Sequence, residues 1–227
     1  MNLEHHFSQV IDFIRAKDYE RAEQGLIRLQ EELRKTPPLR PRSNKSNDVV
    51  GIFVGHSRLG DRGAVSLGGV AEWTYNRVVA TELMRALHRA DLTVELFWAY
   101  KGGSYGSAMA WLAEEAPKHG VTVGVELHFN SGGGTGHEVL CWNADQDIRS
   151  TRLARSINTA IAQAWPEGVN RGVKSAVRGR GFLSSFEFPA VIVEPFFGDH
   201  QGDWDRWKNS QSELAGAVAN GIVDFLL

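Results

Sequence analysis

Hydrophobic and polar positions divide the chain into three regions with different periods. In the first, apolar residues recur at helical spacing in two runs: Phe7, Val10, Ile11 and Ile14, then Ala22, Leu26, Leu29 and Leu33. The intervening KDY reads as a turn, so residues 1–35 are expected to form a helical hairpin or one bent helix. The second region, within TPPLRPRSNKSND, combines prolines and basic residues with almost nothing to bury, which marks a linker over 36–47. From residue 48 short apolar runs alternate with amphipathic ones. Strands are expected at DVVGIFV (48–54), TVELFW (93–98), VTVGVELHF (121–129), HEVLCW (137–142) and PAVIVE (189–194). Helices are expected over 72–90, 106–117 and 148–165, with a closing helix over 203–226. This alternation predicts an α/β domain over 48–227, built on a mainly parallel central sheet with helices on both faces.

In such sheets chemistry collects where strands end and loops begin. His56 follows the first strand directly, His128 lies at the end of the third within VELHFNSGGG, and Glu194 closes PAVIVE. Glu72 stands where the first helix of this region begins. A loop histidine is often only a solvated side chain, and a glutamate in a first helical turn often only complements the dipole. Glu194 and His128 are harder to explain so, because each interrupts an apolar run, where an ionisable group needs a partner, a metal or a shifted pKa. Two imidazoles and a carboxylate suit zinc with a fourth position left for water. Water on zinc drops from a pKa of about 15.7 to about 7, and a further carboxylate can move its proton to a leaving nitrogen.

The remaining composition narrows the partners. With 25 basic and 27 acidic residues the formal charge is -2, which offers no footprint for gripping nucleic acid. One cysteine, Cys141, excludes an internal disulfide and a thiolate-rich zinc site. There is no apolar run of about 18 residues to insert in a membrane. MNLEHHFSQV lacks the basic start and apolar stretch of a signal peptide, so the expectation is cytoplasmic synthesis and action elsewhere only after release by another route.

The motifs that carry these residues resemble those of zinc-dependent N-acetylmuramoyl-L-alanine amidases of the type 3 family. GHSRLGDRGA resembles the family's glycine-histidine loop ending in Asp-x-Gly-Ala, and AEWTYN the glutamate that opens its first helix. ELHFNS, GHEVLCW, NRGVK (170–174) and PAVIVEPFF are similar to four further segments in the family's order, so the resemblance spans nearly all of residues 48–227. It implies a phosphorylase/hydrolase-like fold, one Zn2+ ion held by His56, Glu72 and His128, and Glu194 as the catalytic carboxylate. It also implies hydrolysis of the amide between N-acetylmuramic acid and L-alanine in peptidoglycan, in the manner of a phage or prophage endolysin. The short interval between His128 and Glu194 leaves little room for a long inhibitory helix, so activity without an activator is expected. Two other functions compete: a zinc amidohydrolase for a small N-acyl amino acid or peptide, and a non-catalytic peptidoglycan-binding module.

Other residues carry weaker expectations. Asn130 and Lys174, inside matching motifs, are candidates for hydrogen bonds to substrate. Glu126 stands where the family usually has a small polar residue, on the same strand face as His128 and about 6.7 Å away. Two readings stay open for it, orienting His128 or pairing with a basic residue. PFF after Glu194 also departs from the family's usual Gly-Phe. His137 and His200 read as partly solvated residues that could border the cleft. Trp204 and Trp207 are candidates to flank a glycan groove, whereas Trp73, Trp111 and Trp165 suit helix packing. For the N-terminal helices the sequence leaves targeting, self-association and contact with the catalytic domain open.

Overall fold

A computed structural model describes residues 3–35, 48–56, 60–175 and 178–227. The linker expected over 36–47 lies outside the described residues, as do positions 57–59 of the GHSRLGDRGA loop. The chain starts with two helices, α1 (Leu3–Arg15) and α2 (Tyr19–Lys35), which settles the hairpin against the bent helix. Lys17 turns between them at a φ of 60°. The sheet then builds in the order β1 (Val49–Val54), α3 (Glu72–Arg89), β2 (Thr93–Phe97), α4 (Tyr105–Lys118), β3 (Val123–Leu127) and β4 (His137–Cys141). α5 (Ile148–Ala164), β5 (Asn170–Ser175), α6 (Arg180–Leu183), β6 (Ala190–Glu194), α7 (Gln201–Trp207) and α8 (Gln211–Leu226) complete it.

Among the described residues six strands lie in the order β2-β1-β3-β6-β4-β5, and every pairing is parallel except β4 with β6. Period-two alternation divides the strand residues between two cores. Val50, Ile52 and Val54 join Val123, Val125, Leu127, Val191 and Val193 in a large cluster with α1, α2, α3, α5, α7 and α8. Phe53, Phe97, Leu140 and Ile192 join α4 and α6 in a smaller one. Both faces are therefore covered, as the near-continuous apolar strands require.

Two elements differ from expectation. β5 is a strand although NRGVKS shows no apolar alternation, because it is an edge strand whose residues are exposed or half-buried. Pairing starts with a register shift beside His137/Glu138. The closing helix is two: α7 ends at Trp207, and α8 starts after Ser210. Trp207 is wholly buried at that break and its carbonyl accepts from the Tyr75 hydroxyl at 2.8 Å.

The hairpin is packed into the large core. Phe7, Val10, Ile11, Ile14, Ala22, Leu26 and Leu29 are buried in the same cluster as α3. At its margins Tyr19 sits edge-on to Trp73 with ring centres 5.4 Å apart, Arg34 pairs with Glu95, and Arg89 bonds Glu4 at 2.8 Å. The apolar faces are thus used within one chain, so of the roles left open for these helices the packing shows contact with the catalytic domain. No helix among the described residues is long and apolar enough to cross a membrane. Ile14→Ala should cost about 2–5 kcal/mol, lowering the midpoint of one cooperative thermal or urea transition. A separate early transition belonging to residues 3–35 would contradict this packing.

Candidate functional site

β1, β3 and β6 are adjacent and parallel, so their carboxyl ends meet at one edge of the sheet. That juxtaposition brings His56, His128 and Glu194 together, and the first residue of α3 adds Glu72. The Glu72 carboxylate lies between the two imidazoles. Its Oε2 is 3.1 Å from His56 Nε2 and its Oε1 2.9 Å from His128 Nδ1. Backbone amides of Ala64 and Phe129 donate to the same carboxylate, each at 3.0 Å. His56 holds a left-handed backbone, φ 67°, uncommon for a residue with a side chain and a conformation that concentrates at functional sites. The loop passes so close that a Cβ at Gly63 would lie 2.5 Å from both Glu72 Oε2 and His56 Cδ2.

Each imidazole presents its second nitrogen to another carboxylate. His56 Nδ1 is 3.0 Å from Asp61 Oδ2, and His128 Nε2 is 3.3 Å from Glu126 Oε2. Tyr100 donates its hydroxyl to Glu126, whose other partner is His128. Such outer carboxylates fix the tautomer and the ring of a metal-binding histidine.

Electrostatics follow from this layout. Burial pushes the Glu72 carboxyl up, but hydrogen bonds and charge from His128 and His56 outweigh it and hold the group at about 2. Burial works against charge on both imidazoles, yet Glu72 raises His56, and Glu126 with Glu72 raises His128 well above the ordinary histidine range. Glu194 has the opposite environment. Burial raises it to about 7, more than the His128 and Arg178 charges lower it. Its Oε2 is buried with no hydrogen-bond partner among the described residues, and Arg178 Nη1 stands 3.7 Å from Oε1.

Donor atoms of His56, Glu72 and His128 lie within 4.8 Å of one another, so this group could hold a metal ion. The fit is good in chemistry too: two imidazoles and one carboxylate are a three-ligand set with room for a further ligand. His56 and His128 line a cleft of about 460 Å³ with Glu194, Tyr100, Tyr105 and Arg178, and Glu72 lies buried behind the two imidazoles.

Of the weaker candidates, Asn130 is buried beside the cluster, donating to Glu138 Oε1 at 2.9 Å and accepting from Arg178 at 3.3 Å. Lys174 lies further along β5, in a neighbouring groove. His137 does not border the cleft: it is wholly buried, neither ring nitrogen has a hydrogen-bond partner among the described residues, and burial lowers its pKa. His200 caps α7 and pairs with Asp203 at 2.8 Å. Trp204 and Trp207 are core residues and flank no glycan groove. Sequence reasoning did not single out Asp61, Tyr100, Arg178 or Glu138. The last is buried opposite Glu194 in the β4–β6 ladder and bonded by Arg171 and Arg178. Its signal was an acidic residue inside the apolar run HEVLCW.

A mainly parallel α/β sheet with a histidine–carboxylate cluster at its strand ends makes a domain able to carry a metal. Comparison with known proteins gives the family: the model described as N-acetylmuramoyl-L-alanine amidase matches residues 50–224, and the chain belongs to that family. It is an enzyme that cleaves the amide joining N-acetylmuramic acid to L-alanine in peptidoglycan. A sporulation-specific N-acetylmuramoyl-L-alanine amidase of Bacillus subtilis (strain 168) is 27% identical over 176 residues, 77% of this chain and 67% of that protein. Among solved structures, N-acetylmuramoyl-L-alanine amidase AmiC2 of Nostoc punctiforme superposes with a TM-score of 0.67 at 24% identity, over 81% of this chain and 99% of that one. The catalytic domain of the CD27L endolysin targeting Clostridia difficile gives 0.67 at 23% identity, over 78% and 97%. These two likenesses speak for the fold.

The raised imidazoles make a direct expectation. A divalent cation entering the cluster competes with protons for imidazole nitrogens that the neighbouring carboxylates make more basic, so its uptake should release a non-zero number of protons and weaken as pH falls. Calorimetry in buffers of different ionisation enthalpy reads that number. Release of none would mean the imidazoles are not ligands, and Glu72→Ala should weaken uptake by about 100-fold or more.

Proposed function

We propose that this amidase is a zinc enzyme in which His56, Glu72 and His128 hold one ion and Glu194 moves the protons. One observation carries the reading. Two buried carboxylates serve one strand-end cluster in opposite states, Glu72 held ionised between the imidazoles that line the cleft and Glu194, in the cleft itself, raised by burial to about 7. A zinc ion bound at the cluster supplies Lewis acidity and lowers the pKa of water toward about 7.

The chain's own residues account for the rest. Glu194, titrating close to neutrality, takes a proton from the attacking water and delivers it to the alanine nitrogen as the carbon–nitrogen bond breaks. The water oxygen ends on the lactyl carbonyl carbon, leaving a carboxylate, and the stem peptide leaves with a free amino terminus. Asp61 and Glu126, through His56 and His128, keep both rings oriented. Arg178 stays close enough to Glu194 to limit its rise in pKa. The cleft continues past Arg178 into a second groove, more room than a small N-acyl amino acid needs, which favours the polymeric substrate. The unbroken three-ligand set and Glu194 likewise favour catalysis over mere wall binding, and the short interval from His128 to Glu194 favours activity without an activator.

Glu194→Ala should lower hydrolysis of purified cell walls by about 10²–10⁴-fold while retaining zinc. Mass spectrometry of the wild-type digest should find new L-alanine amino termini; undiminished hydrolysis by the variant would remove Glu194 from its role. Because the base must be ionised, wild-type activity should fall with acid through about 7 or somewhat below, a bound cation drawing the limb downward. A rate independent of pH across that region would contradict the assignment.

A further inference from the structure

The cleft does not end at Glu194. Past Leu140 and Arg178, which border both spaces, a second depression of about 480 Å³ lies over β4 and β5, with Asn130 and Phe197 in its lining. Its charged residues are Arg171, Lys174 and Arg178 against a single carboxylate, Glu138. The two arginines are engaged: Arg171 bonds Glu138 Oε2 at 2.8 Å and stands 5.0 Å over the Phe197 ring, and Arg178 bonds the other oxygen. Lys174 is exposed, and among the described residues no carboxylate lies within ion-pair distance of it. Three cations facing one buried anion leave a local positive excess on a chain whose formal charge is -2.

The two halves of the substrate differ in the property this groove selects. On the sugar side of the scissile amide the glycan is neutral, its lactyl carboxyl being tied up in the amide itself. On the alanine side the peptide carries free carboxylates. Apart from the histidines of the cluster, the reaction cleft has one cation in its lining, Arg178, together with the carboxylates Asp61, Glu126 and Glu194, so it has no uncommitted cation for an anion. We propose that the groove over β4 and β5 is a subsite for a carboxylate of the stem peptide, with Lys174 as the residue that selects it. This rests on the amidase reading above and fixes the direction in which the substrate lies across the sheet edge. Lys174 is suited to the task because its ammonium is not already committed, whereas Arg171 and Arg178 neutralise Glu138 and hold the groove's floor.

The test compares cell walls before and after their carboxylates are converted to amides by carbodiimide coupling with ammonia, at sub-saturating concentration. Wild-type enzyme should cleave the untreated walls about tenfold faster, the worth of one charge-assisted hydrogen bond. Lys174→Ala should lose speed only on untreated walls, bringing the ratio to within about twofold, and Lys174→Arg should keep it. Equal wild-type rates on both walls, or a Lys174→Ala variant slowed equally on both, overturns the subsite. The wild-type comparison decides alone if a variant fails to fold. Cleavage of neither wall sinks the amidase reading itself, and the subsite with it.

Discussion

One buried carboxylate organises this molecule. Glu72 begins α3, is almost wholly inaccessible, and yet stays ionised because two imidazoles and two backbone amides converge on its two oxygens. An isolated carboxylate at that depth would neutralise itself instead. The arrangement therefore makes demands outward from itself. The loop after β1 must bring Ala64 and the left-handed His56 alongside, β3 must end on the histidine and the Phe129 amide, and α3 must not slide. Close backbone approach at Gly63 follows from the first demand.

Holding α3 in place explains why so much of the chain packs against it. α1 seats on α3, α8 runs beside it, and Tyr75 anchors it to the break between α7 and α8 through the Trp207 carbonyl. At the turn that carries Glu72, Tyr19 from α2 meets Trp73 edge-on and its hydroxyl lies 3.3 Å from Thr74 Oγ1. The N-terminal hairpin, outside the residues matched to the family, thus braces the element that supplies the central carboxylate. Rotation of the first turn of α3 would disturb the cluster and the core together, so packing and chemistry share one constraint.

Legibility from sequence followed the same physics. The strand-end residues were readable because parallel strands buried on both faces appear as apolar runs, and an ionisable residue closing such a run is conspicuous. His56, His128 and Glu194 are found at those ends in adjacent strands, and Glu72 at the helix start. What escaped depends on direction and pairing, which periodicity does not encode. β4 runs antiparallel to β6, so its first residues rather than its last reach the site, and Glu138 arrives opposite Glu194. β5 is a polar edge strand without alternation, and its cations gain meaning only beside β4. Trp204 and Trp207 read as candidates for a sugar groove because aromatic residues serve surfaces and cores alike; burial alone distinguishes them.

The antiparallel strand also explains how carboxylates crowd one sheet edge without all protonating alike. Glu72, Glu126, Glu138 and Glu194 are all buried, but each has a different set of cations or donors. Glu138 has Arg171, Arg178 and the Asn130 amide; Glu126 has Tyr100 and His128; Glu72 has both imidazoles. Glu194 alone keeps an oxygen without a donor among the described residues, with its nearest arginine shared with Glu138. Environments that push two carboxylates of one site apart in pKa are what separates a fixed anion from a proton carrier. By that criterion Glu72, fully compensated, is suited to hold a cation permanently, and Glu194, left partly uncompensated, to gain and lose a proton near neutral pH. Arg178 then links the two regions of the cleft: it steadies Glu138 in the floor of the basic groove while tempering the charge cost of Glu194 beside the histidine–carboxylate cluster.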